Sequence, residues 1–165
     1  MSKPSPAERV RAHDDVLGYL LKHAHVALEQ RTDAALADVG LTARDLGVLR
    51  VIAGGEARSQ HEVATVLGVD RTSMVALLDT LERRGIVVRR PSERDRRRNA
   101  VELTQDGWSL FQRAEQRGIE AELAFTAVLG DAGGAELRRA LKAALDASGP
   151  SQADPGDAAE LAGNP

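Results

Sequence analysis

Eight arginines lie between Arg83 and Arg98, and only Glu93 and Asp95 oppose them there, a local surplus of six positive charges in 16 residues. The whole chain of 165 residues carries 22 Lys and Arg against 25 Asp and Glu, a formal charge of −3, so the basic stretch is a local feature of an acidic protein. Guanidinium groups at this density suit phosphate neutralisation, because arginine stays charged and its planar fork matches phosphate oxygens. Groupings for other chemistry are missing. No glycine-rich phosphate loop, nucleophile elbow, metal-ligand motif or convergent carboxylate pair occurs in the sequence, which reads as no enzyme. The absence of cysteine removes disulfides, thiol catalysis, iron–sulfur clusters and Cys-based zinc sites. Of the histidines His13, His23, His25 and His61, His23 and His25 are two apart and fall on nearly opposite faces of a helix, so no metal and no cofactor is expected.

The basic stretch must be presented by something, and the flanking pattern says what. Apolar residues Val10, Leu17, Leu20, Leu21, Ala24 and Leu28 line one helical face from Val10 to about Leu36. After Gly40, Thr42 with Asp45 three residues on opens a helix through Leu46, Leu49 and Ile52 that ends at Gly54-Gly55. Ser59 with Glu62 forms a capping box for a short helix ending at Gly68. Asp70 caps the next, whose stripe Val75, Leu78 and Leu81 ends before Gly85. Ile86-Val87-Val88 and Ala100-Val101-Glu102-Leu103 read as two strands around the charged stretch Pro91–Asn99. Thr104 caps a long segment with Trp108, Phe111, Ile119, Leu123 and Phe125, in which Trp108 and Phe111 are expected to pack in the core. Leu137, Leu141, Ala144 and Leu145 mark a last helix after Gly133-Gly134.

Helix, tight turn, helix and arginine-tipped hairpin, in that order, point to duplex DNA. A helix fits the major groove and reads base edges with residues near its N-terminus. Here these are Asp70, Arg71, Thr72 and Ser73, with Ala76 one turn on for apolar contact only. Arg94, Arg96, Arg97 and Arg98 form the wing that meets the backbone or a narrow minor groove. Asp95 is expected to shape that loop by pairing with a neighbouring arginine.

These residues resemble the MarR (multiple antibiotic resistance regulator) family of winged helix-turn-helix regulators, from about Leu17 to Phe111. Gln60-x3-Ala64-x3-Gly68-Val69 is similar to its helix-turn-helix spacing. Leu81-Glu82-Arg83-Arg84-Gly85-Ile86-Val87 is similar to its end of recognition helix and start of wing. Asp95-Arg96-Arg97 followed by Val101-x-Leu103-Thr104-x-x-Gly107 is similar to its wing and the cap of the next helix. Two positions depart from the family pattern: the proline precedes the wing motif early, at Pro91, and Ala76 stands where many members carry a polar or basic residue. The resemblance implies a homodimer on a pseudo-palindromic operator, with Arg97 at the minor-groove wing tip. It also implies repression of an adjacent or divergent gene, relieved by a small aromatic, phenolic or carboxylated effector.

The expected fold class is mainly α, an α+β winged helix-turn-helix with about six helices and a two- to three-stranded β-wing, dimerised through its N- and C-terminal helices. Residues 1–9 are expected as a flexible N-terminus, 10–147 as a single domain and 148–165 as a disordered acidic tail. Within the domain, dimerisation helices span about 10–40 and 104–147 and the winged helix-turn-helix about 42–103. Tyr19 and His23, four apart on the first helix, are candidates for the effector pocket; the competing reading makes Tyr19 an interface residue and His23 an exposed one. Neither a membrane helix nor a signal peptide is readable, so a cytoplasmic, nucleoid-associated protein is expected. Alternatives are a winged-helix protein-interaction module and a nonspecific architectural DNA binder.

Overall fold

The computed structural model describes residues 13–55, 58–91 and 99–148. Among them run α1 (Leu17–Leu36), α2 (Ala43–Ala53), β1 (Arg58–Ser59), α3 (Gln60–Leu67), α4 (Arg71–Arg83), β2 (Val87–Pro91), β3 (Asn99–Leu103), α5 (Gln105–Thr126) and α6 (Gly130–Ala147). The result is a helical protein with one small antiparallel sheet of order β1-β3-β2, the expected fold class. The expected flexible N-terminus, the helix start at Val10, the wing tip Arg94–Arg98 and all of the acidic tail after Ser148 lie outside the described residues.

Local chemistry sets most boundaries. Thr42 Oγ1 accepts from Asp45 N at 3.1 Å while Asp45 Oδ2 accepts from Thr42 N at 2.8 Å, a reciprocal cap of two otherwise orphaned donors. Ser59 and Glu62 repeat the arrangement at the start of α3. Gly68 ends α3 in the left-handed region at φ 61°, and Val69 N reaches back to Ala64 O at 3.0 Å.

Two boundaries differ from the sequence expectation. The first helix is continuous only from Leu17, because Val16 is extended (φ −81°, ψ 126°) and offers no side-chain cap; a 3-10 turn over His13–Asp15 precedes it. Gly133 and Gly134 lie inside α6 and do not precede it. Gly130, at φ 69°, makes the turn, whereas Gly134 permits a close approach, since a β-carbon there would stand 3.1 Å from Thr126 Oγ1.

The core lies where α2, α3, α4, α5 and the sheet converge, on Leu46, Leu49, Val63, Met74, Leu78 and Val101 among others, all at most 1% exposed. Each such side chain contributes about 1.5–3 kcal/mol of transfer free energy. On α4 the buried stripe is Met74, Leu78 and Leu81, at i, i+4 and i+7; Val75, expected in it, is rotated about 100° from Met74 and is only half-buried. On α5 the side facing the core is built from small residues, Gly107, Ala114, Gly118 and Ala121, which let neighbouring backbones approach. Trp108, expected in the core, is 45% exposed, with its ring edge-on to Phe111 at 5.9 Å between centroids. The small-residue face already fills the side of α5 that meets the core. Phe111 does pack against the core.

Candidate nucleic-acid interface

Helix α4 is anchored by its apolar stripe and by its first residue's neighbour. Asp70 accepts from Ser73 N at 2.9 Å, and hydrogen bonds from the Ser73 side chain and backbone hold the Asp70 carboxyl below the ordinary carboxylate value, with Arg44 of α2 adding a smaller attraction. The Asp70 carboxylate therefore serves as the helix cap. Arg71, Thr72 and Ala76 are exposed, and Ser73 is half-buried. One face of α4 is thus sealed in the core while the opposite face, at its N-terminal end, offers a guanidinium and a hydroxyl to whatever approaches. Arg44, exposed on the first turn of α2, is the one residue of another helix that favours the Asp70 carboxylate, and by the least of its causes. Sequence reading had no means of finding it, being 26 positions away on another helix.

The far end of α4 is tied to the wing. Glu82 Oε1 accepts from Arg89 N at 3.2 Å, Glu82 Oε2 pairs with the Arg89 guanidinium, and Arg89 Nη2 meets Asp79 Oδ1 at 2.6 Å. Arg90 on the same strand stands 3.5 Å from Glu102 of β3. Of the four described arginines in the basic stretch, Arg89 and Arg90 are thus compensated by three carboxylates, all contributed from outside that stretch in sequence. Arg89, with its side chain only 19% exposed, holds the start of β2 against α4. The paired strands β2 and β3 are in register from Val87↔Leu103 to Pro91↔Asn99; Arg94, Asp95, Arg96, Arg97 and Arg98, which lie between them in sequence, are outside the described residues. A third strand, β1, pairs with β3 through Arg58↔Val101 and Ser59↔Ala100; a two-residue strand leaves no alternation to read.

Behind the wing, Thr104 joins three elements. Its hydroxyl meets Gly85 O at 2.6 Å and accepts from Gly107 N at 2.9 Å, and its backbone N–H donates to Ile86 O at 3.1 Å. One residue thereby caps α5 and fixes the turn between α4 and β2.

Tyr19 and His23 are brought together on α1, their ring centroids 4.0 Å apart and tilted by 38°. Neither lines the open groove of about 790 Å³ along α5, whose walls include Ser109, Arg113, Gln116 and Glu120. Large apolar side chains stand exposed on the terminal helices, among them Leu17, Leu20 and Leu21 of α1, Leu123 of α5, and Leu141 and Leu145 of α6.

Residues 39–98 match the model of the MarR family. A protein of Thauera aromatica named for regulation of the hcr operon is 34% identical over 117 residues, 70% of each chain. The transcriptional repressor Rv2887 of Mycobacterium tuberculosis is 35% identical over 104 residues, 63% of this chain and 75% of its own. Its structure in complex with DNA superposes with a TM-score of 0.68 at 30% identity, covering 79% of this chain and 98% of that one. The repressor CouR bound to a 23-mer DNA duplex gives a TM-score of 0.71 at 33% identity, covering 85% and 98%. CouR from Rhodococcus jostii RHA1 bound to p-coumaroyl-CoA gives 0.71 at 28%, covering 82% and 95%. This chain belongs to the MarR family of transcriptional regulators.

Proposed function

We propose that the protein is a sequence-specific, duplex-DNA-binding transcriptional repressor that works as a homodimer on a pseudo-palindromic operator and releases DNA when a small aromatic effector binds. The observation that carries this reading is the α4 face: Arg71, Thr72 and Ala76 are exposed at the N-terminal end of a helix whose other side is sealed in the core, the presentation that major-groove reading requires. Arg71 is assigned to base contact, Thr72 and Ser73 to base or phosphate contact, and the wing arginines Arg94, Arg96, Arg97 and Arg98 to the backbone and minor groove, with Asp95 shaping the loop. Similarity to CouR and Rv2887, both solved with DNA, supports the DNA reading. CouR with p-coumaroyl-CoA supports an aromatic effector.

The exposed leucines of α1, α5 and α6 support pairing of residues about 10–40 and 104–147 with a second copy, since apolar patches of this extent mark interfaces. Tyr19 and His23, with their rings in tilted contact on α1, are the residues assigned to effector contact. The protein acts by binding and has no catalytic step. No described helix is long and apolar enough to cross a membrane, and the site of action is the cytoplasm, on the nucleoid.

The test is fluorescence anisotropy on the duplex directly upstream of the protein's own gene against a scrambled duplex of equal length, at two salt concentrations. Preference for the native duplex is expected. Arg71→Ala should relax specificity at one position of each half-site, whereas Arg97→Ala should weaken binding to all sequences and reduce the salt slope by about one. Equal, salt-sensitive binding to both duplexes indicates either an architectural binder or a regulator whose operator lies elsewhere, which genome-wide footprinting separates, and no binding at low salt indicates a protein-interaction module.

A further inference from the structure

Helix α2, part of the winged helix, crosses α5, part of the terminal helical layer, at Gly118. A β-carbon at that position would lie 2.6 Å from Leu46 Cδ2 and 3.0 Å from Arg50 Nη2. The glycine is therefore a saddle, and the Arg50 side chain lies across it. Carboxylates stand on α5 about one turn to either side. Arg50 Nε donates to Glu115 Oε2 at 2.7 Å and Nη2 donates to Glu122 Oε1 at 3.2 Å. The second oxygen of Glu122 faces Arg138 Nη1 of α6 at 4.0 Å.

Three helices thus share one chain of alternating charges, and none of its four members lies on the exposed α4 face or the wing. Burial opposes the Arg50 charge, but the Glu115 hydrogen bond and the charges of Glu115 and Glu122 outweigh it and raise the Arg50 pKa above its ordinary value. The ion pairs are about two-thirds buried, with side-chain exposures of 38%, 33% and 34% for Arg50, Glu115 and Glu122. A lone exposed pair holds little. A guanidinium gripped from two directions over a backbone with no side chain in the way is a geometric constraint, because sliding α2 along α5 or tilting it breaks one bond or the other.

We propose that Arg50 is a positioning residue for operator binding. By tying α2 to α5 across Gly118 it sets how the winged helix sits on the helices that pair with a second copy, and hence the separation of the two recognition helices. This inference rests on the dimeric repressor reading above. Two recognition helices must reach successive major grooves about 34 Å apart, and one base-pair step is only about 3.4 Å, so a small tilt at this joint changes which spacing is read.

The experiment uses the full-length protein and three duplexes: the upstream site located by footprinting, and the same site with one base pair inserted or deleted at its centre. Wild type should prefer the native spacing by about fivefold or more. Arg50→Met should lose most of that preference while keeping the wild-type salt slope, since no phosphate contact is removed. Arg50→Lys, which keeps the charge but not the fork, should fall between, and Glu122→Gln should show the Met effect in weaker form. Should Arg50→Met fail to melt cooperatively, the Lys and Gln variants decide the matter. An unchanged spacing ratio, or a loss of affinity equal on all three duplexes, overturns the inference. Wild type with no preference for its upstream duplex over a scrambled one overturns the repressor reading itself, which separates the two failures.

Discussion

The carbonyl oxygen of Ile86 lies 1.9 Å from where a β-carbon on Gly107 would stand, so the first turn of α5 touches the turn between α4 and β2 through a glycine. No side chain fits there without moving backbone. Gly107→Ala should lower stability by about 1–3 kcal/mol through overpacking, even though alanine favours helix over glycine by about 1 kcal/mol. Gly18→Ala on α1, which meets nothing within 4 Å, should leave stability unchanged or raise it. Urea unfolding followed by circular dichroism separates the two, and equal effects would refute the contact.

Arg89 is held by Glu82 and Asp79, which makes it a tie between β2 and α4. Arg89→Met should weaken operator binding by loosening the wing base while leaving the salt slope of wild type intact. A direct phosphate contact would instead lower that slope by about one on removal. Anisotropy at four salt concentrations reads the difference.

The lowered Asp70 pKa has a defined sign. Hydrogen bonds from Ser73 favour the carboxylate in the folded state, so its stabilisation is complete above the ordinary value of 3.8 and is lost as pH falls through the lower folded value. Asp70→Asn keeps a capping oxygen but does not titrate. The stability gap between wild type and Asp70→Asn should be constant from neutral pH down to about pH 5 and then change in favour of the variant as acid is added. A gap that stays flat to pH 2.5 counts against the ionised cap.

Leu141, 39% exposed on α6, lies on the face assigned to the second copy. Leu141→Glu should raise the monomer fraction in sedimentation velocity and weaken operator binding, while the folded monomer loses no more than about 0.5 kcal/mol, as for a surface substitution. Unchanged sedimentation would move the interface elsewhere.

Features encoded within a few residues were legible in the sequence. The caps at Thr42, Ser59, Asp70 and Thr104 each depend on a donor three positions on, and the turn at Gly68 needs one residue in the left-handed region; such signals survive in a linear string. Their order along the chain was enough to yield the winged helix-turn-helix and the Arg71–Thr72 face. Helix starts failed where the local sign was ambiguous. Gly133-Gly134 reads as a break, yet the pair sits inside α6 because Gly134 packs against Thr126. Val16, with no capping group, ends a pattern that hydrophobic spacing alone would continue to Val10.

By itself, then, the sequence determined the order of the helices and of the two longer strands, the caps and the basic surplus of the wing region, because these follow from near neighbours in the chain. Only the tertiary structure decided that Arg89 belongs to Glu82 and Asp79, that Arg50 belongs to Glu115 and Glu122, and that α5 turns its small residues inward and Trp108 outward. Arg50 and Glu115 are separated by 65 positions. Charge and hydrophobicity are properties of single residues, but partnership is a property of the packed chain, and close approach of α2 to α5 at Gly118 is what brings Arg50 within reach of its carboxylates.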